Sequence, residues 1–197
     1  IIELDINGLY HFDNEIKNQL QNYLVTKGVI SNQIVWHNQT GGRTNKVWRL
    51  DGEEDLICKL YAETKTNPLF NNTPEAEYRC LLWLEGSDIA PKPYKYLKTP
   101  FGEVLLYNYI KGHTWSHDVD AVSELLTRIR KNKYPKGLRI LSNLPSDIKQ
   151  TGLEIINKLN NYHKNKLIKI CPDVSISDIE PVLLHTDVVP GNLILGE

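Results

Sequence analysis

Residues 184–193 read LHTDVVPGNL, and this stretch decides which fold the 197-residue chain is expected to adopt. Asp187 and Asn192 follow His185, and Pro190 and Gly191 between them favour a turn over a helix. In a tight loop, the Asp187 carboxylate can accept a proton from an attacking hydroxyl, while the Asn192 amide oxygen binds Mg²⁺. An isolated pattern of this kind is equally typical of a surface turn, so the surrounding sequence has to decide.

The first half of the chain predicts an antiparallel sheet. Its strand-like runs are residues 34–37, 46–50, 56–61, 93–97 and 104–110. Gly41-Gly42 joins the first two runs and Asp51-Gly52 the next two, and such pairs are typical of β-hairpins. A helix beginning at Asp13 is predicted before the sheet, a second helix beginning after Thr73 interrupts it, and helical patterns dominate from Val119 onward.

The predicted fold class is α+β, with two lobes. The first lobe covers residues 1–110 and contains an antiparallel five-stranded sheet with a helix. The second lobe covers residues 111–197 and is mainly helical.

The loop between the first two strands is a candidate phosphate-binding loop. Glycines at Gly41 and Gly42 let the backbone approach phosphate oxygens, and Thr44 and Asn45 can donate hydrogen bonds to those oxygens. The alternative is an ordinary hairpin without a ligand, which is the commoner meaning of such a loop taken alone.

Lys59 lies within the apolar run Leu56-Ile57-Cys58-Lys59-Leu60, where a charge needs an explanation. A buried ammonium requires a partner, and Glu77 on the following helix can supply one. Strand alternation places Ile57 and Lys59 on one face, which favours an inward Lys59. The alternative is that Lys59 and Glu77 each lie on a solvated face.

These residues, in this order, resemble the aminoglycoside phosphotransferase and choline kinase superfamily, which has the protein-kinase-like fold. The resemblance covers most of the chain. It rests on the loop 41–45, on Lys59 and Glu77, on the segment 105–112 (LLYNYIKG) and on the stretch from His185 to Asn192. The sequence Gly-Gly-x-Thr-Asn is closer to the choline and thiamine kinase-like members than to the antibiotic-resistance enzymes.

The resemblance implies an ATP- and Mg²⁺-dependent enzyme that transfers the γ-phosphate to a hydroxyl of a small molecule. Residues 1–110 would bind the nucleotide, with Lys59 on its phosphates and Glu77 orienting Lys59. The backbone of Asn108, Tyr109 and Ile110 would contact the adenine. Asp187 with His185 would form the catalytic centre, and Asn192 would bind the metal.

One departure from that superfamily concerns its second magnesium ligand, an Asp on a strand beyond the catalytic loop. Here five residues follow Asn192, and none is Asp. The chain is therefore expected to be either a fragment that lacks the last part of the second lobe or an inactive nucleotide-binding module. If the protein is an active kinase, a choline-, ethanolamine- or thiamine-like acceptor is favoured, and an aminoglycoside is the alternative.

The composition argues against nucleic-acid and membrane binding. Lys and Arg number 23 and Asp and Glu 24, so a net charge of −1 gives no general attraction for nucleic acid or an anionic membrane. Three dispersed cysteines and the absence of an apolar leader or membrane-length run predict a cytoplasmic protein. The expected partner is a small-molecule alcohol, and the incompletely covered second lobe makes a homodimer a candidate assembly.

Overall fold

The computed structural model describes residues 6–39, 45–61, 73–116, 118–138, 145–157, 165, 182–185 and 188–196. The chain divides into two compact units. The first comprises residues 1–63 and 91–111, and the second comprises residues 64–90 and 112–197. The helix that the sequence-based division assigned to the first lobe belongs to the second unit.

The first unit is built on a five-stranded antiparallel sheet. Its strands are β1 (Val35–Asn38), β2 (Lys46–Asp51), β3 (Leu56–Tyr61), β4 (Pro93–Thr99) and β5 (Gly102–Asn108), in the spatial order β1-β2-β3-β5-β4. The predicted α+β class, the number of strands and their antiparallel pairing are confirmed. The last strand ends two residues earlier than its apolar pattern suggested, which leaves Tyr109 and Ile110 beyond it.

Helix α1 (Ile6–Thr26) covers one face of this sheet. Leu20 and Leu24 are fully buried and pack with alternate strand residues, among them Leu50, Cys58 and Leu106. The helical spacing of the apolar residues is thus confirmed. The predicted start at Asp13 is wrong, because the helix begins about two turns earlier, at Ile6.

The β4–β5 hairpin shows why one glycine is required. Gly102 has a φ of +125°, and a Cβ there would lie 3.1 Å from the backbone oxygen of Tyr61. The turn is closed by Thr99, whose hydroxyl accepts from the Phe101 N–H and donates to the Gly102 carbonyl. The predicted turn at Pro100-Phe101-Gly102 is confirmed.

The described part of the second unit contains three α-helices and a two-stranded ribbon. They are α2 (Pro74–Leu84), α3 (Val119–Lys131), α4 (Pro145–Ile156), β6 (Gly112–Thr114) and β7 (Ile194–Gly196), with a single 3₁₀ turn at Pro190–Asn192. The Asp118 side chain caps α3 by accepting from the Ala121 N–H. The β6–β7 ribbon was not predicted, since three-residue strands carry too little pattern to be read from sequence.

Side-chain bonds fix the loop after α3 to α2. The indole N–H of Trp83 donates to the Lys133 carbonyl at 2.5 Å, and Arg79 donates to the Lys136 carbonyl. Among the described helices, none combines the length and the apolar character that a membrane span needs.

Candidate nucleotide-binding and catalytic residues

Lys59 lies on the face of the sheet opposite to the face covered by α1. The core cluster takes Cys58 and Leu60 from β3, so Ile57 and Lys59 share the other face, as predicted. The register places Lys59 between Val47 of β2 and Leu105 of β5. Lys59 is half-buried between two apolar neighbours, which is an unusual position for a solvated lysine.

An aromatic ring supports the Lys59 ammonium. Its Nζ lies 4.7 Å from the centroid of the Tyr61 ring, and Tyr61 is 5% exposed. A cation over a buried ring is stabilised without being neutralised. The side chain of Lys59 is therefore held against the Tyr61 ring.

The segment 108–110 continues directly from β5. The Asn108 N–H donates to the Lys92 carbonyl at 2.9 Å, and the Tyr109 N–H donates to the Asp55 carbonyl at 2.8 Å. Ile110 is exposed, and its N–H has no partner among the described residues. The first two amides of the predicted adenine-binding segment are thus occupied by the protein itself, and the third is available.

Arg49 and Asp55 brace this segment from the side. The guanidinium Nη2 of Arg49 donates to both carboxylate oxygens of Asp55, at 3.1 and 3.0 Å, and its Cζ lies 4.3 Å from the centroid of the Tyr109 ring. The hydrogen bonds to Asp55 raise the pKa of Arg49 above its ordinary value. Tyr109 is therefore held through its backbone by Asp55 and through its ring by Arg49.

Glu77 lies in the first turn of α2. Its N–H donates to the Thr73 carbonyl at 3.1 Å, and its side chain is half-buried. Pro74 occupies the first helical position as predicted, although the Thr73 side chain makes no capping bond. Burial raises the pKa of the neighbouring Cys80 thiol, and the Glu77 carboxylate adds to this effect. The pairing of Glu77 with Lys59 stays a prediction.

Residues 190–192 form a turn, and strand β7 follows it. Pro190, Gly191 and Asn192 form the 3₁₀ turn, in which the Asn192 N–H donates to the Val189 carbonyl at 2.9 Å. Asn192 is exposed, and His185 upstream is half-buried. The turn that Pro190 and Gly191 predicted is confirmed, whereas the chemical roles of His185 and Asn192 stay predictions.

Several predicted site residues fall outside the part of the chain that the structure describes. These are Gly41, Gly42, Thr44 and Asp187. Asn45, the last residue of the predicted phosphate loop, is described and lies half-buried immediately before β2.

The described residues fit the predicted Mg²⁺ only in part. The exposed Asn192 amide carries an oxygen of the kind that Mg²⁺ accepts. Within the described ranges, no group of three or more His, Cys, Asp or Glu side chains could hold a metal ion. Asn192 thus suits the role of one ligand, and the described residues alone do not complete a metal site.

Sequence reasoning missed the residues that surround Lys59 and Tyr109. Alternation along β3 indicates that Ile57 lies on the same face as Lys59. Val47 and Leu105 lie on that face too, because they pair with Lys59 in the register of the neighbouring strands. No sequence signal identified the Arg49–Asp55 pair. The two residues meet because the β2–β3 hairpin folds back on itself.

Comparison with known proteins gives structural matches only. No family model and no curated protein matches the chain. A choline kinase from Cryptosporidium parvum is similar in structure, with a TM-score of 0.50 and 12% identity over 79% of this chain and 49% of that one. A spectinomycin phosphotransferase, solved with ADP and spectinomycin, has a TM-score of 0.52 and 16% identity over 91% of this chain and 65% of that one.

The chain spans about half of the first neighbour and just under two thirds of the second. At such low identities a structural likeness shows the fold and leaves the activity open. The resemblance inferred from the sequence is confirmed at that level: this chain has the protein-kinase-like α+β fold shared by choline kinase and aminoglycoside phosphotransferase structures.

Proposed function

We propose that the chain is a nucleotide-dependent phosphotransferase that moves the γ-phosphate of ATP to a hydroxyl of a small molecule. The observation that carries this proposal is the position of Lys59. On a fold shared with phosphotransferases, the half-buried residue Lys59 is paired with Val47 and Leu105 across the sheet, on the face away from the α1 core. A fixed positive charge in such a place suits the binding of nucleotide phosphates.

The adenine would bind at the end of β5. The Ile110 N–H is the amide of the 108–110 segment that has no partner among the described residues, so it is the natural donor to a ring nitrogen. The Arg49–Asp55 pair would keep Tyr109, and with it this donor, in a constant position. An ordered donor loses less conformational entropy on binding than a mobile one.

In the proposed reaction, the acceptor oxygen forms a bond to the γ-phosphorus, and the bond from that phosphorus to the bridging oxygen breaks. ADP leaves, and Asp187 takes the proton of the acceptor hydroxyl. His185, two residues earlier, would orient the loop that carries Asp187. Mg²⁺, with Asn192 as one ligand, would offset the negative charge of the phosphates.

Choline-, ethanolamine- or thiamine-like alcohols are the favoured acceptors. Trp115 is half-buried, and its backbone N–H donates to the carbonyl of Leu193, the residue after Asn192, at 3.0 Å. Its indole N–H donates to the Asp118 carbonyl at 2.6 Å. Aromatic rings bind quaternary ammonium groups well. An aromatic residue whose backbone is bonded to the residue that follows the proposed metal ligand therefore suits a cationic alcohol.

An aminoglycoside-type alcohol is the second candidate. The spectinomycin phosphotransferase covers more of this chain than the choline kinase does, at a slightly higher TM-score. A panel of choline, ethanolamine, thiamine, spectinomycin and other aminoglycosides, assayed for acceptor-dependent ADP release, would separate the two classes.

The mechanism is tested by Asp187→Asn. Removing the base should lower kcat by about 10²- to 10⁴-fold, while the dissociation constant for ATP stays within a factor of two or three. Turnover would be followed by ADP release and nucleotide binding by calorimetry. Wild-type turnover in this variant would remove Asp187 from the mechanism, and a wild-type protein that binds ATP but phosphorylates no acceptor would indicate a nucleotide-binding module.

A further inference from the structure

The β6–β7 ribbon brings together two segments that are far apart in the chain. Gly112 pairs with Gly196, His113 with Leu195, and Thr114 with Ile194. β6 begins two residues after Ile110, and β7 begins two residues after Asn192. The ribbon thus joins the segment that follows the proposed nucleotide site to the exit of the proposed catalytic loop.

Close approach at Gly112 sets the geometry of this ribbon. A Cβ on Gly112 would lie 2.0 Å from the Leu195 carbonyl oxygen and 2.8 Å from the Leu195 carbonyl carbon. Real Cβ contacts essentially never fall below 3.0 Å, so a side chain here would push the two strands apart by about 1 Å. The atoms in the way are backbone, which cannot rotate aside.

The backbone conformation of Gly112 leads to the same conclusion. Its φ is +151°, in a region that L-residues with a side chain rarely adopt. Gly112 therefore tolerates no side chain for two independent reasons. A ribbon of two three-residue strands, exposed along most of its length, has little other stabilisation to compensate for a displacement.

From the ribbon, a short series of backbone bonds leads to Asn192. The Trp115 N–H donates to the Leu193 carbonyl at 3.0 Å, and the Leu193 N–H donates to the Pro190 carbonyl at 3.2 Å. The Leu193 side chain is 6% exposed, which anchors the turn on one side. Moving β7 therefore moves Leu193 and the 3₁₀ turn that contains Asn192.

We propose that Gly112 is a positioning residue for the catalytic loop: by carrying no side chain, it lets β6 fix β7, Leu193 and the turn that presents Asn192. Gly112 touches no reacting group itself. The inference rests on the proposed function for its catalytic consequence, whereas the mechanical coupling between Gly112 and residues 193–195 can be tested without any activity.

The test compares Gly112→Ala with Gly152→Ala. Gly152 lies inside α4, and an added Cβ there meets nothing within 4 Å, so this variant should behave like wild type. In Gly112→Ala, kcat should fall about 100-fold, since a misplacement of about 1 Å near the reaction can cost that much. The dissociation constant for ADP should stay within about threefold of wild type, because the 108–110 segment is bonded to Lys92 and Asp55.

Hydrogen exchange provides the readout that does not depend on turnover. The amides of Trp115, Leu193 and Leu195 should exchange faster in Gly112→Ala than in wild type, while those of α1 and β3 should be unchanged. Unchanged exchange at residues 193–195 would overturn the inference, and so would wild-type kcat in a folded Gly112→Ala. Faster exchange in a protein that phosphorylates no alcohol would support the coupling and reject the proposed function.

A second variant covers the case in which Gly112→Ala does not fold. Trp115→Pro removes the N–H that donates to the Leu193 carbonyl and adds nothing at Gly112, and Trp115→Ala, which loses the same indole but keeps that N–H, is its control. Relative to Trp115→Ala, a fall in kcat with retained ADP binding is expected in Trp115→Pro, and it should be smaller than that of Gly112→Ala. Equal kcat in Trp115→Pro and Trp115→Ala, or exchange at residues 193–195 that is the same in both, would overturn the inference.

Discussion

The candidate residues of the first unit and those of the second unit are held by different means. Lys59 and the 108–110 segment are positioned by the middle of a five-stranded sheet, in which Val104, Leu105 and Leu106 are fully buried. Asn192 is positioned by a 3₁₀ turn and a ribbon of two short, exposed strands. The first arrangement spreads its support over many side chains, whereas the second depends on a few backbone contacts and one glycine.

The difference has a physical consequence. When one contact within the sheet is lost, the many remaining contacts of the packed core hold the backbone close to its native position. The loss therefore mainly lowers the free energy of unfolding. Loss of one contact in the ribbon is not shared, so it displaces the loop at little cost in stability. We therefore expect mutations in the first region to appear as unfolding and mutations in the second as lost turnover.

The largest expected effect is a difference in the free energy of unfolding between a mutation in the five-stranded sheet and a mutation beside the β6–β7 ribbon. Leu106→Ala removes a fully buried side chain from the sheet and should lower the free energy of unfolding by about 2–5 kcal/mol. Leu193→Ala removes the same kind of side chain between a 3₁₀ turn and a three-residue strand, where the residue is 6% exposed, and should cost less than the loss from the five-stranded sheet. Urea denaturation of both variants measures the difference. Equal losses would show that the loop is supported by a core of its own.

A smaller effect is expected when the contacts that support the proposed adenine-binding segment, residues 108–110, are removed. Arg49→Met keeps much of the side-chain length but removes the bonds to Asp55 and the cation beside the Tyr109 ring. ATP binding should weaken by roughly two- to fivefold, with kcat nearly unchanged. Calorimetric titration with ATP gives the first quantity and ADP release the second.

Arg128→Met is the matched control for that variant, because Arg128 belongs to the second unit and donates to the Ser87 carbonyl of the same unit. It should leave ATP binding as in wild type. If Arg49→Met lowered kcat and left ATP affinity intact, the proposal that Arg49 supports nucleotide binding by the 108–110 segment would be wrong.

The smallest effect is a pH dependence confined to the sheet. Burial raises the pKa of the Cys58 thiol above its ordinary value of 9.0, so this thiol stays neutral in the folded protein. In the unfolded chain it ionises near that value. As the pH rises from about 8 to about 10, the unfolded state loses a proton that the folded state keeps, and the free energy of unfolding should fall.

This fall can be isolated by comparing the pH dependence of urea unfolding in wild type and Cys58→Val. The difference between the two proteins should be flat below about pH 8 and should grow above it in the direction that destabilises wild type. A difference that did not vary with pH would mean that the thiol is not shielded from solvent in the folded state.

Much of the fold was readable from the sequence for local reasons. The apolar spacing of Ile16, Leu20 and Leu24 identified α1, and the glycine-containing turn after Pro100 identified the β4–β5 hairpin. Strand alternation placed Lys59 on the face opposite to Cys58 and Leu60. Helical periodicity, strand alternation and turn chemistry act over a few residues, so the sequence states them directly.

The start of α1 was predicted wrongly because Asp13 has the chemistry of an N-cap, while the helix extends back past it to Ile6. A residue suited to a cap does not prevent a helix from continuing when its neighbours are compatible. Such helix boundaries depend on the residues against which the preceding turn packs. The local sequence pattern carries no information about those residues.

Sequence alone was enough to infer the α+β class, the order of the strands along the chain and the residues to which a phosphotransferase role is proposed. The folded structure was needed to show that Arg49 and Asp55 brace Tyr109, and that Gly112 lies against the Leu195 carbonyl. The reason is chain separation. Gly112 and Leu195 are more than eighty residues apart, and no periodicity or turn signal can show that two such segments share a strand pairing.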